Sequence, residues 1–131
     1  MDVLASNVAG LLKEKNIGFY PFGDHIRIPL PSGFGEIEVG ELDDGDTIFG
    51  LVDHAWHTHG ELLTPDHGSD IASAMVNFLE QIFSGQLKMI EFQLGGEEPR
   101  RIIEDDLDSF LKNKQPGEKL AIFDHAGQLS K

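Results

Sequence analysis

Residues 53 to 70, DHAWHTHGELLTPDHGSD, hold four of the chain's six histidines and four of its carboxylates. Imidazole nitrogens and carboxylate oxygens are ligands for zinc, and a catalytic zinc keeps one position open for water. If a strand runs through residue 59, alternation places Asp53, Ala55, His57 and His59 on one face and His54, Trp56 and Thr58 on the other. His57 and His59 then project together, near Glu61, Asp66 and Asp70. The same residues also suit a plain strand end, with Trp56 and His57 half-buried and their ring nitrogens bonded to the backbone of the following loop. Both readings stay open at this level.

His57, His59 and Asp70 stand as HxH, ten residues, then Asp, with Trp56 directly before the pair. This spacing resembles the zinc-binding pattern of the JAMM metalloprotease family. The resemblance implies zinc as cofactor, His57, His59 and Asp70 as its ligands, and a glutamate as general base for the metal-bound water, with Glu38 or Glu61 as the candidates. The chain departs from the pattern in three places. His67 stands where the family has a serine, Gly60 replaces the usual proline after HxH, and Glu36, Glu38 and Glu41 lie closer to the motif than the family's glutamate does.

Other chemistries find less support. With no cysteine, thiol nucleophiles, disulfides and thiolate metal sites are all excluded. The glycine-containing stretch PSGFGEIEVG lacks the lysine and the helix that a phosphate cradle needs. Ser69 reads as a helix cap, and Asp105 and Asp106 as acids at a helix start. Arg100 and Arg101 follow Glu97 and Glu98 across a turn, an arrangement that favours mutual pairing.

The elements that must position these residues follow from periodicity. Leu4, Val8, Leu11 and Leu12 mark an amphipathic helix over residues 2 to 15. The period then changes to two: Ile26, Ile28 and Leu30, then Ile37 and Val39, then TIFGLVDHAWH, separated by the turns PSGFG and DDGD. Three strands with short connections make an antiparallel meander. Asp70 or Ser69 caps a helix carrying Ile71, Met75, Phe78, Leu79 and Ile82 on one stripe and ending at Ser84 and Gly85. LKMIEFQL and RRII form a hairpin, EDDLDSFLKN a short helix and EKLAIFD a last strand. The expected fold is a single α+β domain over residues 1–131, a mainly antiparallel sheet with helices packed on one face. On the third strand Ile48, Val52 and Trp56 share a face, which should pack Trp56 beneath the second helix against Phe78 or Ile82.

Charge supplies the leading functional expectation. The formal net charge is −13, and no lysine or arginine occurs between Arg27 and Lys88, a span that holds eleven carboxylates. Such a field repels nucleic acid and anionic lipid and attracts a basic protein. No run approaches the length of a membrane span, and the first residues lack a basic leader, so a cytoplasmic protein is expected. The strand end WHTH, the following amphipathic helix and the segment LEQIFSGQLKMIEF resemble small uncharacterised bacterial α+β domains with a WHxH strand end, from about Gly35 to Arg101. Some of these are immunity partners of toxins. The resemblance, with the charge, implies a non-enzymatic acidic interaction protein without cofactor, an immunity-type inhibitor of a basic partner. Glu36, Glu38, Asp43, Asp44 and Asp46 are its expected contact surface. The zinc hydrolase is the alternative.

Overall fold

The computed structural model describes residues 1–54, 56–59, 63, 70–104, 107–112 and 117–124, and the backbone of 127–130. The first helix, α1 (Val3–Glu14), starts at Asp2, whose carboxylate accepts the Ala5 N–H at 2.7 Å. Five strands follow as a continuous antiparallel meander: β1 (Tyr20–Phe22), β2 (His25–Pro29), β3 (Glu36–Glu41), β4 (Thr47–Leu51) and β5 (His57–Thr58). The second helix, α2 (Ile71–Ser84), has Asp70 as its N-cap and ends at Gly85 in the left-handed conformation, φ 87°. A second antiparallel sheet combines β6 (Lys88–Leu94), β7 (Arg100–Glu104), β8 (Glu118–Asp124) and β9 (Gly127–Ser130) in the order β7-β6-β8-β9, with the short helix α3 (Leu107–Lys112) between β7 and β8.

The chain is thus a mixed α+β domain with antiparallel sheets, as its periodicity predicts. The strands divide into two sheets, and β1 and β9 are additions that periodicity does not flag. Among the described residues no helix is long and apolar enough to cross a membrane.

The core lies between the first sheet and its two long helices. Ile26, Ile28, Ile37, Val39, Phe49 and Leu51 line the inner face of the meander, and Val8, Leu12, Met75, Leu79 and Ile82 cover it from α1 and α2, all of them buried. The second sheet joins this core through Met89 and Ile103 and through the Phe34 and Phe123 rings, 5.5 Å apart. Arg101 also donates to the Phe34 carbonyl, and Ser32 Oγ to that of Asp124 at 3.0 Å. On its far side Ile90, Leu120 and Ile122 form a smaller cluster closed by Leu107 and Phe110.

The third strand departs from the sequence expectation. It stops at Leu51 and reverses: Leu51 N–H donates to Trp56 O at 3.0 Å, His54 N–H donates to Leu51 O at 3.3 Å, and Asp53 takes φ 66°. The segment then returns as β5, with Phe49 opposite Thr58 and Gly50 opposite His57. The inner face is also the other one. Leu51 lies opposite Ile37 and Phe49 opposite Val39, and cross-strand partners share a face, so Phe49 and Leu51 turn inward and Ile48 outward. Trp56 nevertheless reaches α2, because the reversal carries it there. Its ring stacks on Phe78 with centroids 5.9 Å apart, and Phe49 meets both rings edge-on.

Phe49 is fully buried and Trp56 only partly so. Phe49→Ala should therefore cost about 3 to 5 kcal/mol, the usual loss for a large aromatic removed from a core, and Trp56→Ala about half of that. Denaturant unfolding of the two variants checks the order. A larger loss for Trp56→Ala would contradict the assigned faces.

Candidate functional site on the open face of the meander

The face of the first sheet that turns away from the helices carries the charged chemistry. Its central row crosses the strands as Tyr20, Arg27, Glu38, Gly50 and His57, each opposite the next. Gly50 is required there. A Cβ at that position would sit 2.8 Å from the His57 Cβ and 3.2 Å from the Trp56 carbonyl oxygen, so only glycine lets β5 close onto β4. At Gly40 the same reasoning applies to the His25 ring, which lies directly over the glycine.

Glu38 is the hub of the row. Arg27 Nε donates to Glu38 Oε1 at 3.0 Å, and His25 Nδ1 lies 2.7 Å from Glu38 Oε2. The other His25 nitrogen, Nε2, is 3.0 Å from the Glu41 carbonyl oxygen and 3.8 Å from the Asp2 carboxylate. A carbonyl and a carboxylate are both acceptors, so the arrangement is complete when both ring nitrogens carry hydrogen, as in the imidazolium. Burial opposes that charge, but the Glu38 hydrogen bond, the Glu41 carbonyl and the negative charges of Glu38 and Asp2 outweigh it, and His25 titrates above its ordinary value. Burial likewise works against the ionised Glu38, and His25 and Arg27 overcome it to hold its carboxyl below the ordinary value. The Arg27 guanidinium also lies 3.5 Å from the centroid of the Phe22 ring. Asp2 ties this cluster to α1: while one oxygen caps the helix, Oδ2 accepts the Glu41 N–H at 2.9 Å.

His57 and His59 project together as alternation requires, with ring centroids 5.4 Å apart at 88°. His59 Nδ1 donates to the Thr47 carbonyl at 2.6 Å and lies 3.4 Å from Asp46 Oδ2. That bond leaves Nε2 as the acceptor nitrogen of the neutral ring. Asp70 is placed at the start of α2, where one oxygen accepts the Ser73 N–H at 2.9 Å and the other the Ser73 hydroxyl at 3.0 Å. Among the described residues no group of three or more histidines and carboxylates is arranged to hold a metal ion. Glu61, Asp66, His67, Ser69, Asp105 and Asp106 lie outside the described residues.

Of the five expected partner-contact carboxylates, Glu38 lies within β3 at the centre of the charged row, and the other four fall toward the two ends of the strand. Glu36 begins the strand and accepts the Tyr20 hydroxyl at 2.6 Å. Asp43, Asp44 and Asp46 lie in the β3–β4 hairpin, about 20 Å further along at the usual strand rise. Two of these aspartates shape their own turn: Asp44 Oδ1 accepts the Asp46 N–H at 3.0 Å and Asp46 Oδ1 the Thr47 N–H at 2.8 Å. Asp43 and Asp44 are exposed. Sequence reasoning omitted His25, Arg27 and Asp2 from the site. The alternation of His25 and Arg27 with buried isoleucines already placed both on the outer face, but the carboxylate they share comes from the neighbouring strand.

The histidine's raised value and the glutamate's lowered one set the pH behaviour. The His25 contribution is fully present below its unfolded value of 6.5 and is lost as pH rises through the folded value. The Glu38 contribution is present above its unfolded value of 4.5 and is lost as pH falls through the folded one. The stability gap between the native protein and His25→Asn should therefore be widest between these two values and narrow as pH rises through the folded value of His25. Urea unfolding across that range measures it, and a gap that widens in alkali would refute the pairing.

No protein-family model matches the chain, and no curated protein or solved structure is significantly similar to it.

Proposed function

We propose that the chain is an acidic, non-enzymatic binding protein for a basic protein partner in the cytoplasm, with the immunity-type inhibitor as its specific form. The observation that carries the reading is the state of the two cations that bound the acidic middle in sequence. Arg27 is engaged by Glu38 and the Phe22 ring, and Lys88 donates to the Gly85 carbonyl. The exposed carboxylates of the β3–β4 hairpin thus keep their charge uncompensated by either. Such a field accelerates encounter with a cationic surface and repels nucleic acid. Glu36 and Glu38 serve it indirectly, since their oxygens hold Tyr20, His25 and Arg27 in place, and the partner's contacts fall to Asp43, Asp44 and Asp46.

Binding of a lysine-rich peptide should weaken about tenfold between low and physiological salt. Asp43→Asn with Asp44→Asn should weaken it about threefold or more at low salt, while Glu14→Gln with Asp108→Asn, an equal loss of charge elsewhere, should have a smaller effect. Fluorescence anisotropy of the labelled peptide gives both numbers, and equal effects from the two double variants would refute a hairpin-centred surface.

The second reading, a zinc-dependent hydrolase, draws on the adjacency of His57 and His59 and on the anchoring of His59 through Nδ1, the kind of support that orients metal ligands. In it Asp70 would exchange its cap to Ser73 for the metal. Protein purified without an affinity tag should then carry close to one zinc per chain, lost in His57→Ala. Metal-free protein that binds added zinc only weakly would eliminate this reading.

A further inference from the structure

Two grooves meet at the β4–β5 turn. One, of about 390 Å³, runs over the open face of the meander from Leu42 to His57. The other, of about 810 Å³, lies between that turn and the β6–β7 hairpin, with Trp56, Phe92 and Ile102 in its lining and Glu97, Glu98 and Arg100 beside them. Asp53, His54 and Trp56 line both, so the two form one trough that starts beside the acidic β3–β4 hairpin.

The larger groove has the chemistry of an organic-cation site. Trp56 lies against Phe78 and Phe92 against Phe110, which leaves both as aromatic walls held by neighbouring rings. Aromatic faces attract ammonium and guanidinium groups, more strongly when carboxylates stand nearby. Among the described residues none of Asp53, Glu97 and Glu98 makes an ion pair. Of the two arginines, Arg101 is spent on Glu91 at 2.8 Å and on the Phe34 carbonyl, so Arg100 alone opposes three carboxylates. The loop that carries Glu97 and Glu98 is itself fixed, with Glu97 N–H donating to Leu94 O at 3.2 Å and Gln93 Nε2 donating to Glu97 O at 2.6 Å. The volume lies within the usual range for a bound small group.

We infer that this groove receives a lysine or arginine side chain of an extended basic segment, which continues past the β4–β5 turn toward the acidic β3–β4 hairpin. The inference rests on the basic partner proposed above and names the place where that partner is read. Charge complementarity selects the occupant: an anionic ligand would meet three carboxylates for one free guanidinium.

Trp56 is the only tryptophan and lines both grooves, so its emission reports their occupancy. The probe is a blocked oligolysine peptide, with its fully Nε-acetylated form as the neutral control. A saturable change in Trp56 emission is expected with the first and none with the second. Glu97→Gln with Glu98→Gln should weaken binding about fivefold, Arg100→Gln should tighten it about twofold, and Glu14→Gln with Asp108→Asn should have a smaller effect than either. Anisotropy of the labelled peptide that reports binding with no change in Trp56 emission would overturn the groove. So would a Glu97, Glu98 variant no weaker than the Glu14, Asp108 control, or weakening by Arg100→Gln. If the Asp43, Asp44 variant weakens binding while the Glu97, Glu98 variant does not, the acidic hairpin stands and the groove falls. The reverse result upholds the groove and removes the hairpin. Absence of binding overturns both.

Discussion

Phe49 lies fully buried in the middle of the meander, opposite Val39 on one side and Thr58 on the other, with the Phe78 and Trp56 rings set edge-on against it. Its inward direction decides which side of β4 is core. Because antiparallel neighbours share faces, that decision propagates to Val39 and Ile26 on adjacent strands and forces Arg27, Glu38 and Gly50 onto the opposite side. A register slip of one residue would exchange the two sets. The charged row and both grooves therefore depend on an apolar contact on the other side of the sheet.

Electrostatics on that outer face is organised by satisfaction rather than by sheer number of charges. One carboxylate, Glu38, accepts from both Arg27 and His25, and one N-cap, Asp2, answers a helix terminus and a strand amide together. These contacts couple α1 to β2 and β3 through polar atoms at the sheet's rim, in addition to the apolar contacts of its buried stripe. Asp43 and Asp44 stand exposed in the β3–β4 hairpin, where water solvates them and self-repulsion costs least. A large net charge is thereby compatible with a compact domain.

Much of the fold is legible in the chain. Helix periodicity with Asp70 or Ser69 before it and Gly85 after it locates α2 to within a residue or so, and alternation locates β2, β3, β6 and β8. The β4–β5 reversal is not legible. Residues 52 to 55, VDHA, include no glycine or proline to mark a turn, and the reversal is made by Asp53 in the left-handed region, which aspartate tolerates better than most side chains. Hydrophobicity alone also ranks Ile48 and Val52 with Phe49 and Leu51, so only the pairing with β3 selects the inner set. The same limit applies to the site. The pairing of His57 with His59 follows from spacing, whereas the sharing of Glu38 and the capping use of Asp70's oxygens depend on which atoms tertiary structure brings within reach.

The outermost strands of the meander are unusually short: β5 has two residues, and β1 has three with Pro21 at its centre. Proline offers no N–H to an incoming chain, and a two-residue strand offers too few groups to seed a ladder. Both rims of this sheet are thus poor templates for further strands. Extended backbone beside the grooves would otherwise invite other chains to add on edge to edge, and the brevity of these two strands disfavours such addition at this sheet.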